Sequence, residues 1–253
     1  MRSIAISLIV VAFVMGGALL GGYFRSRVPK HHLEGDTRDI VKTGIGLLAT
    51  LSALVLGLVI ASAKNSFDTK TEEVQAAAAK LLHLDRSLRQ LGPAGDAVRR
   101  DLLQMADIRV NKVWTYHDPA QIAMASFDDK PNLETLQTAL RAIQPQDETQ
   151  RRAVGKALQA ADELEQVRVL VVAHPGSAII TPLLVVLVFW FTAIATGLGL
   201  FAPRNRTTLA FSVVSAVSIA SAIFLILEMD QAFGGVIQVS NAPIRAAIAA
   251  LSR

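Results

Sequence analysis

The chain has no cysteine. That excludes disulfides, thiolate nucleophiles and cysteine-based metal sites. Its second notable lack is of charge, and it is local. Residues 4–24, 43–63, 178–202 and 209–227 are almost wholly apolar and carry no Lys, Arg, Asp, Glu or His before their flanks. A bilayer core about 30 Å thick needs roughly 20 residues of helix to cross it. An ionised side chain at mid-bilayer is costly, so charge-free runs of this length fit lipid better than a soluble core. The enzyme signatures are missing as well. No Gly-x-Ser-x-Gly, His-Glu-x-x-His, Walker loop or Gly-x-Gly-x-x-Gly turn occurs. No catalytic role and no cofactor is expected.

What is present is an all-α plan: four transmembrane helices, two on each side of a polar block, with a helical bundle inserted between spans 2 and 3. The expected divisions are 1–63, spans 1 and 2 with a short polar loop; 64–177, the extramembrane bundle; 178–230, spans 3 and 4; and 231–253, an amphipathic tail. The first run is longer than a signal-peptide core and leads straight into Arg25, so it reads as a retained span. Acids and bases nearly cancel between Lys64 and Ser177, which leaves the excess positive charge beside the spans. That placement suits headgroup anchoring rather than nucleic acid, and no nucleic-acid partner is expected.

Nothing breaks the helix pattern between Ser62 and Leu91, so span 2 should run on out of the membrane as one helix. Val74, Ala78, Leu81, Leu84, Leu88 and Leu91 form its apolar stripe. Gly92-Pro93 ends it. Three further amphipathic helices follow. One has Val98, Leu102, Met105, Ala106, Val110 and Val113 on one side. The next is marked by Leu133, Leu136, Leu140 and Ile143, and the last by Val154, Leu158, Ala161, Leu164, Val167 and Val171. Together they suggest an antiparallel bundle. His117-Asp118-Pro119 and His174-Pro175-Gly176 are read as breaks. Ser240 or Asn241 should cap a final helix with Pro243 in its first turn. Ile244, Ile248 and Leu251 share one of its faces, which suits a tail lying on the membrane.

Three stretches together resemble a bacterial membrane family, the bestrophin-like proteins. They are the glycine-bearing second span with its exit at Asn65 and Asp68, the segment Gly197-Leu-Gly199 through Pro203 and Asn205, and the run from Glu228 through Phe233-Gly234-Gly235 to Pro243. The resemblance runs from about residue 40 to the end. Ala232 stands where the family typically has proline before the Phe-Gly-Gly turn. Kinship with bestrophins implies a homo-oligomeric channel or pore for small ions, a pentamer, lined by span 2 and set in a bacterial inner membrane. Bestrophin pores are narrowed by aromatic and branched residues on the second span, whereas residues 43–63 contain no aromatic. Only Glu228 and Asp230 are available where animal bestrophins carry an acidic calcium-binding cluster. The alternative is a non-conducting signalling or scaffolding protein, anchored in the membrane and acting through its bundle.

Candidate sites follow from residue type and spacing. Ala49, Ala53, Gly57 and Ala61 recur every fourth residue on span 2 and mark an oligomer seam, a pore wall or packing within one subunit. Thr43, Thr50 and Ser52 are candidates to wet one side of that helix, and Ser212, Ser215, Ser218 and Ser221 recur on span 4. The span-4 hydroxyls suit either back-bonding to their own helix or a polar ion path. Lys64, Asn65 and Asp68 leave span 2 on the same side as Glu228 and Asp230 leave span 4, forming either a pore-mouth cluster or an interfacial ion pair. Gly197 and Gly199 read as packing. His31, His32, Glu34, Asp36 and Asp39 match no defined ligand spacing, so no metal is expected. Basic residues flank both membrane faces and leave the side of the bundle open.

Overall fold

A computed structural model describes residues 2–29, 35–115, 131–173, 180–203 and 205–252. The described residues form eight helices and no strand. They are α1 (Arg2–Arg25), α2 (Asp36–Arg89), α3 (Pro93–Thr115), α4 (Leu133–Ala142), α5 (Glu148–Ala173), α6 (Ile180–Phe201), α7 (Arg206–Asp230) and α8 (Ala242–Leu251). The breaks read at 117–119 and 174–176, and the irregular stretch up to Pro131 except for that residue, lie outside the described residues. The chain divides into two compact units. One comprises Met1–Ser66 and Ser177–Asp230, the other Phe67–Gly176 and Gln231–Arg253.

The first unit holds the apolar parts of α1, α2, α6 and α7, each long and apolar enough to cross a bilayer. Within each span, between 11% and 22% of the most apolar window is buried by protein. Leu8, Phe13, Leu54, Phe189 and Phe211 all point outward. In water such surface would drive aggregation, whereas in lipid it is simply solvated. The protein is therefore an integral membrane protein. A small core of Val10, Val14, Val59, Leu187, Ala216, Ile223 and Ile226 joins the four helices.

Helices α1 and α6 approach closely at their glycines. A Cβ on Gly17 would stand 2.7 Å from the Thr192 carbonyl oxygen. One on Gly21 would collide with the backbone of Thr196, and one on Gly199 with the backbone of Ala18. Backbones can come this close only where side chains are absent, and lipid supplies no hydrophobic drive to replace that packing. At Gly197 the neighbour is the end of the Ile45 side chain of α2, with Cδ1 at 2.5 Å from the would-be Cβ, a contact that a rotamer change can relieve.

The second unit is built on leucine. Leu81, Leu84, Leu88 and Leu91 interlock with Leu102, Leu133, Leu136 and Leu140, all buried. Gly92 turns the chain between α2 and α3 at φ +60°, a conformation a Cβ would oppose. Asn132 caps α4, accepting from the Thr135 amide at 2.8 Å while its own amide donates to Thr135 Oγ1. Among the described side chains of α5, Ala153, Ala157, Ala160 and Ala161 are buried, with Val154, Leu158 and Leu164 partly buried beside them; Val167 and Val171 lie outside the described side chains. Over residues 153–164 the stripe is thus centred on small residues, which let α5 sit close.

The tail departs from its expected place. Its residues 231–253 belong to the bundle unit instead of forming a separate membrane-surface element. Ala247 and Leu251 enter the bundle core, and Ile244 and Ile248 pack against it. The apolar face that suited a membrane surface is used up by protein.

Candidate functional site

Helix α2 offers three different faces in its apolar part. The buried face carries Ser52, Val59 and Ala63, with Ile45, Leu48, Val55, Leu56 and Ile60 partly covered beside them. Leu47, Leu51, Leu54 and Leu58 are exposed on a second face. Ala49, Ala53, Gly57 and Ala61 are all exposed on a third. At about 100° per residue these rows centre on sectors roughly a third of a turn apart. A Cβ on Gly57 would meet nothing within 4 Å. The small-residue row is thus exposed along its length, and at Gly57 no atom of the same chain stands against it.

Six of the seven candidate hydroxyls on these spans, all but Ser215, donate to carbonyls of their own helices. Thr43 donates to the Asp39 carbonyl at 2.8 Å, Thr50 to Gly46 at 3.0 Å and Ser52 to Leu48 at 2.7 Å. On α7, Ser212 donates to Thr208 at 3.0 Å, Ser218 to Val214 at 2.8 Å and Ser221 to Val217 at 2.8 Å. Back-bonding of this kind lets a hydroxyl sit in hydrocarbon without an unmade hydrogen bond.

Of the polar residues at the span exits, Lys64, Asn65 and Asp68 are exposed on α2. Glu228 is 2% exposed, within the last turn of α7, and Asp230 at its end is half-buried. All five are engaged in polar or electrostatic interactions. Among the described residues no group of His, Asp and Glu could hold a metal. His31, His32 and Glu34 lie outside the described residues.

The turn after α7 is a small structure of its own. The Val239 amide donates to the Ala232 carbonyl at 2.8 Å, and Gly234 to Gln231 at 3.1 Å. Ala232 and Val239 are buried with Val74, and Phe67, Trp114, Phe233 and Ile244 pack around them. Phe233 meets Trp114 edge to face, with centroids 5.4 Å apart at 82°. Trp114 Nε1 also donates to the Val239 carbonyl at 2.8 Å. Asn241 occupies the cap position of α8 without a side-chain cap bond; Ser240 Oγ accepts from the Ala242 amide, and Pro243 lies in the first turn. Asn205 plays the capping part at α7, accepting from the Thr208 amide at 2.7 Å.

Comparison with known proteins now bears on this geometry. The model of the Bestrophin-like domain matches residues 12–244. The chain belongs to the Bestrophin-like family. Among solved structures it is similar to a point mutant of a bacterial bestrophin homologue from Klebsiella pneumoniae, with TM-score 0.65, 13% identity and 97% of each chain covered. At that identity the likeness is one of fold. Among curated proteins none matches.

The matched region of this Bestrophin-like chain takes in span 1 from residue 12, the other three spans whole, and the turn at Phe233, Gly234 and Gly235. Pro203 and Asn205 lie in the link between α6 and α7. Two features were not singled out from the sequence. One is the Gly17/Gly21 pair on α1, whose small-x-x-x-small spacing was the available signal. The other is a buried carboxylate, Asp85, held by Arg89 Nε at 2.8 Å and Arg99 Nε at 2.5 Å. The i,i+4 spacing of Asp85 and Arg89 on α2 was the available signal for part of that cluster, whereas Arg99 comes from α3 and no periodicity marks it.

Proposed function

We propose that the protein is a homo-oligomeric channel for small ions in a bacterial inner membrane, with α2 from each copy lining the axis. The observation that carries this reading is the exposed row Ala49, Ala53, Gly57 and Ala61. Small residues permit close helix approach, and within one copy no helix takes that place at Gly57. A second copy fits there, or a pore lumen does. The leucine row at Leu47, Leu51, Leu54 and Leu58 gives the helix a separate apolar surface. Membership of the Bestrophin-like family supports conduction, and the family's kinship with bestrophins supports five copies. Lys64, Asn65 and Asp68, exposed where α2 leaves its apolar stretch, serve as pore-mouth residues. Glu228, almost fully buried, is better suited to fixing the end of α7.

The test is reconstitution. Purified protein in liposomes loaded with an ion-sensitive dye should pass small ions well above empty liposomes, and its mass in detergent should be that of a closed oligomer. An intact oligomer without flux, or a monomer, overturns the reading.

A further inference from the structure

A groove of about 580 Å³ lies in the membrane unit between α1 and α7, beside the link from α6. Met15 and Leu19 of α1 and Leu209 of α7 form its hydrocarbon walls. Gly22 borders it and leaves it open, since a Cβ there would meet nothing within 4 Å. Of its polar groups, Ser212 donates to the Thr208 carbonyl and the Thr208 amide to Asn205. Most of the described lining is Met, Leu, Ala, Gly and Pro, so the groove suits an apolar occupant over most of its length.

Arg206 is the one charged side chain among the described lining residues, and no acid accompanies it. It is exposed, and among the described residues it makes no ion pair. It is the first residue of α7, so it stands where that helix meets the membrane boundary. Met15 and Ser212 mark the deep end, about 10 Å farther in along the helices. Arg25 adds a second cation at the rim, donating to the Ala202 carbonyl. The groove thus combines hydrocarbon walls at acyl-chain depth with a cation at headgroup depth that has no carboxylate partner among the described residues. An amphiphile with the complementary layout has an apolar tail and a phosphate head.

We propose that this groove is a binding site for an anionic phospholipid, one acyl chain lying between Met15, Leu19 and Leu209 and the phosphate on Arg206. The site is separate from the α2 face that carries the proposed channel function.

Full-length protein in detergent, offered equal amounts of phosphatidylglycerol and phosphatidylcholine, tests this by native mass spectrometry. The wild type should retain phosphatidylglycerol in preference. One arginine near an anionic headgroup is worth about 1 kcal/mol, so Arg206→Gln should cut that preference about fivefold. Arg27→Gln removes a cation that stacks on Tyr23 outside the groove and should leave it unchanged. Gly22→Leu grows a side chain into the opening and should lose both lipids. Leu19→Trp is the second filling variant, used if Gly22→Leu does not fold by thermal melting. Equal phosphatidylglycerol preference in wild type and Arg206→Gln overturns the proposal. So does lipid retention in both filling variants. Lipid that leaves only when the oligomer dissociates assigns the groove to a second copy, and this also overturns it.

Discussion

Arg99 holds Asp85 from across the corner between α2 and α3, its Nε donating to Oδ1 at 2.5 Å. The same guanidinium donates to the carbonyl of Leu251, and Arg89 donates to the carbonyl of Ala250 at 3.3 Å. Both arginines thus tie the buried carboxylate to the carbonyl end of α8. Cations are well placed there, because the last carbonyls of a helix lack intrahelical partners and carry its negative pole.

Replacing Asp85 by Ala should therefore do more than remove an ion pair. It leaves Arg99 partly buried without its carboxylate, a change that costs about 3 kcal/mol in comparable settings. Hydrogen exchange should rise at residues 242–251 before it rises in the leucine core. Uniform loosening of the whole bundle, or no change in α8, would contradict the clamp.

The glycines of α1 should sort by position. Gly21→Ala forces a methyl into the Thr196 backbone, and overpacking of this kind costs about 1–3 kcal/mol. Gly16→Ala on the same helix meets open space and should leave stability unchanged or raise it by up to about 1 kcal/mol, since Ala is the better helix former. Thermal melting in detergent compares the two, and equal shifts would dismiss the α1–α6 seam.

Gly57→Leu places no atom against its own chain at the Cβ. The subunit should fold as before while the assembly falls apart, read as a smaller mass in light scattering with unchanged helix content. An unaltered oligomer would remove the small-residue row from the contact between copies.

Trp114→Phe keeps an aromatic ring beside Phe233 but deletes the donor to the Val239 carbonyl. A single buried hydrogen bond of this type is worth about 1 kcal/mol. Residues 231–241 should exchange amide protons faster, with α3 itself unaffected. Retained protection there would mean that the ring contact alone holds the turn.

Much of the fold was legible from local chemistry. The spans announced themselves because charge is excluded from hydrocarbon. The bundle stripe Val74, Ala78, Leu81, Leu84, Leu88 and Leu91 is buried throughout, because helical periodicity reports directly on which face is covered. The alanine line of α5 was less visible, since periodicity weighs large apolar residues while close helix contact selects small ones. The candidate site was legible only as alternatives. A four-residue repeat of small side chains looks the same whether it faces its own subunit, a neighbour or a lumen.

The order of residues alone determined the number of crossings, the helical character and the places where helices stop, because solvation cost and backbone sterics act over one or two turns. Which face of α2 stays uncovered, which glycines carry the tight seam, and that the tail joins the bundle core were decided by tertiary structure. Those outcomes depend on which surfaces meet across long stretches of chain, and an amphipathic face specifies only that it will be covered, not by what.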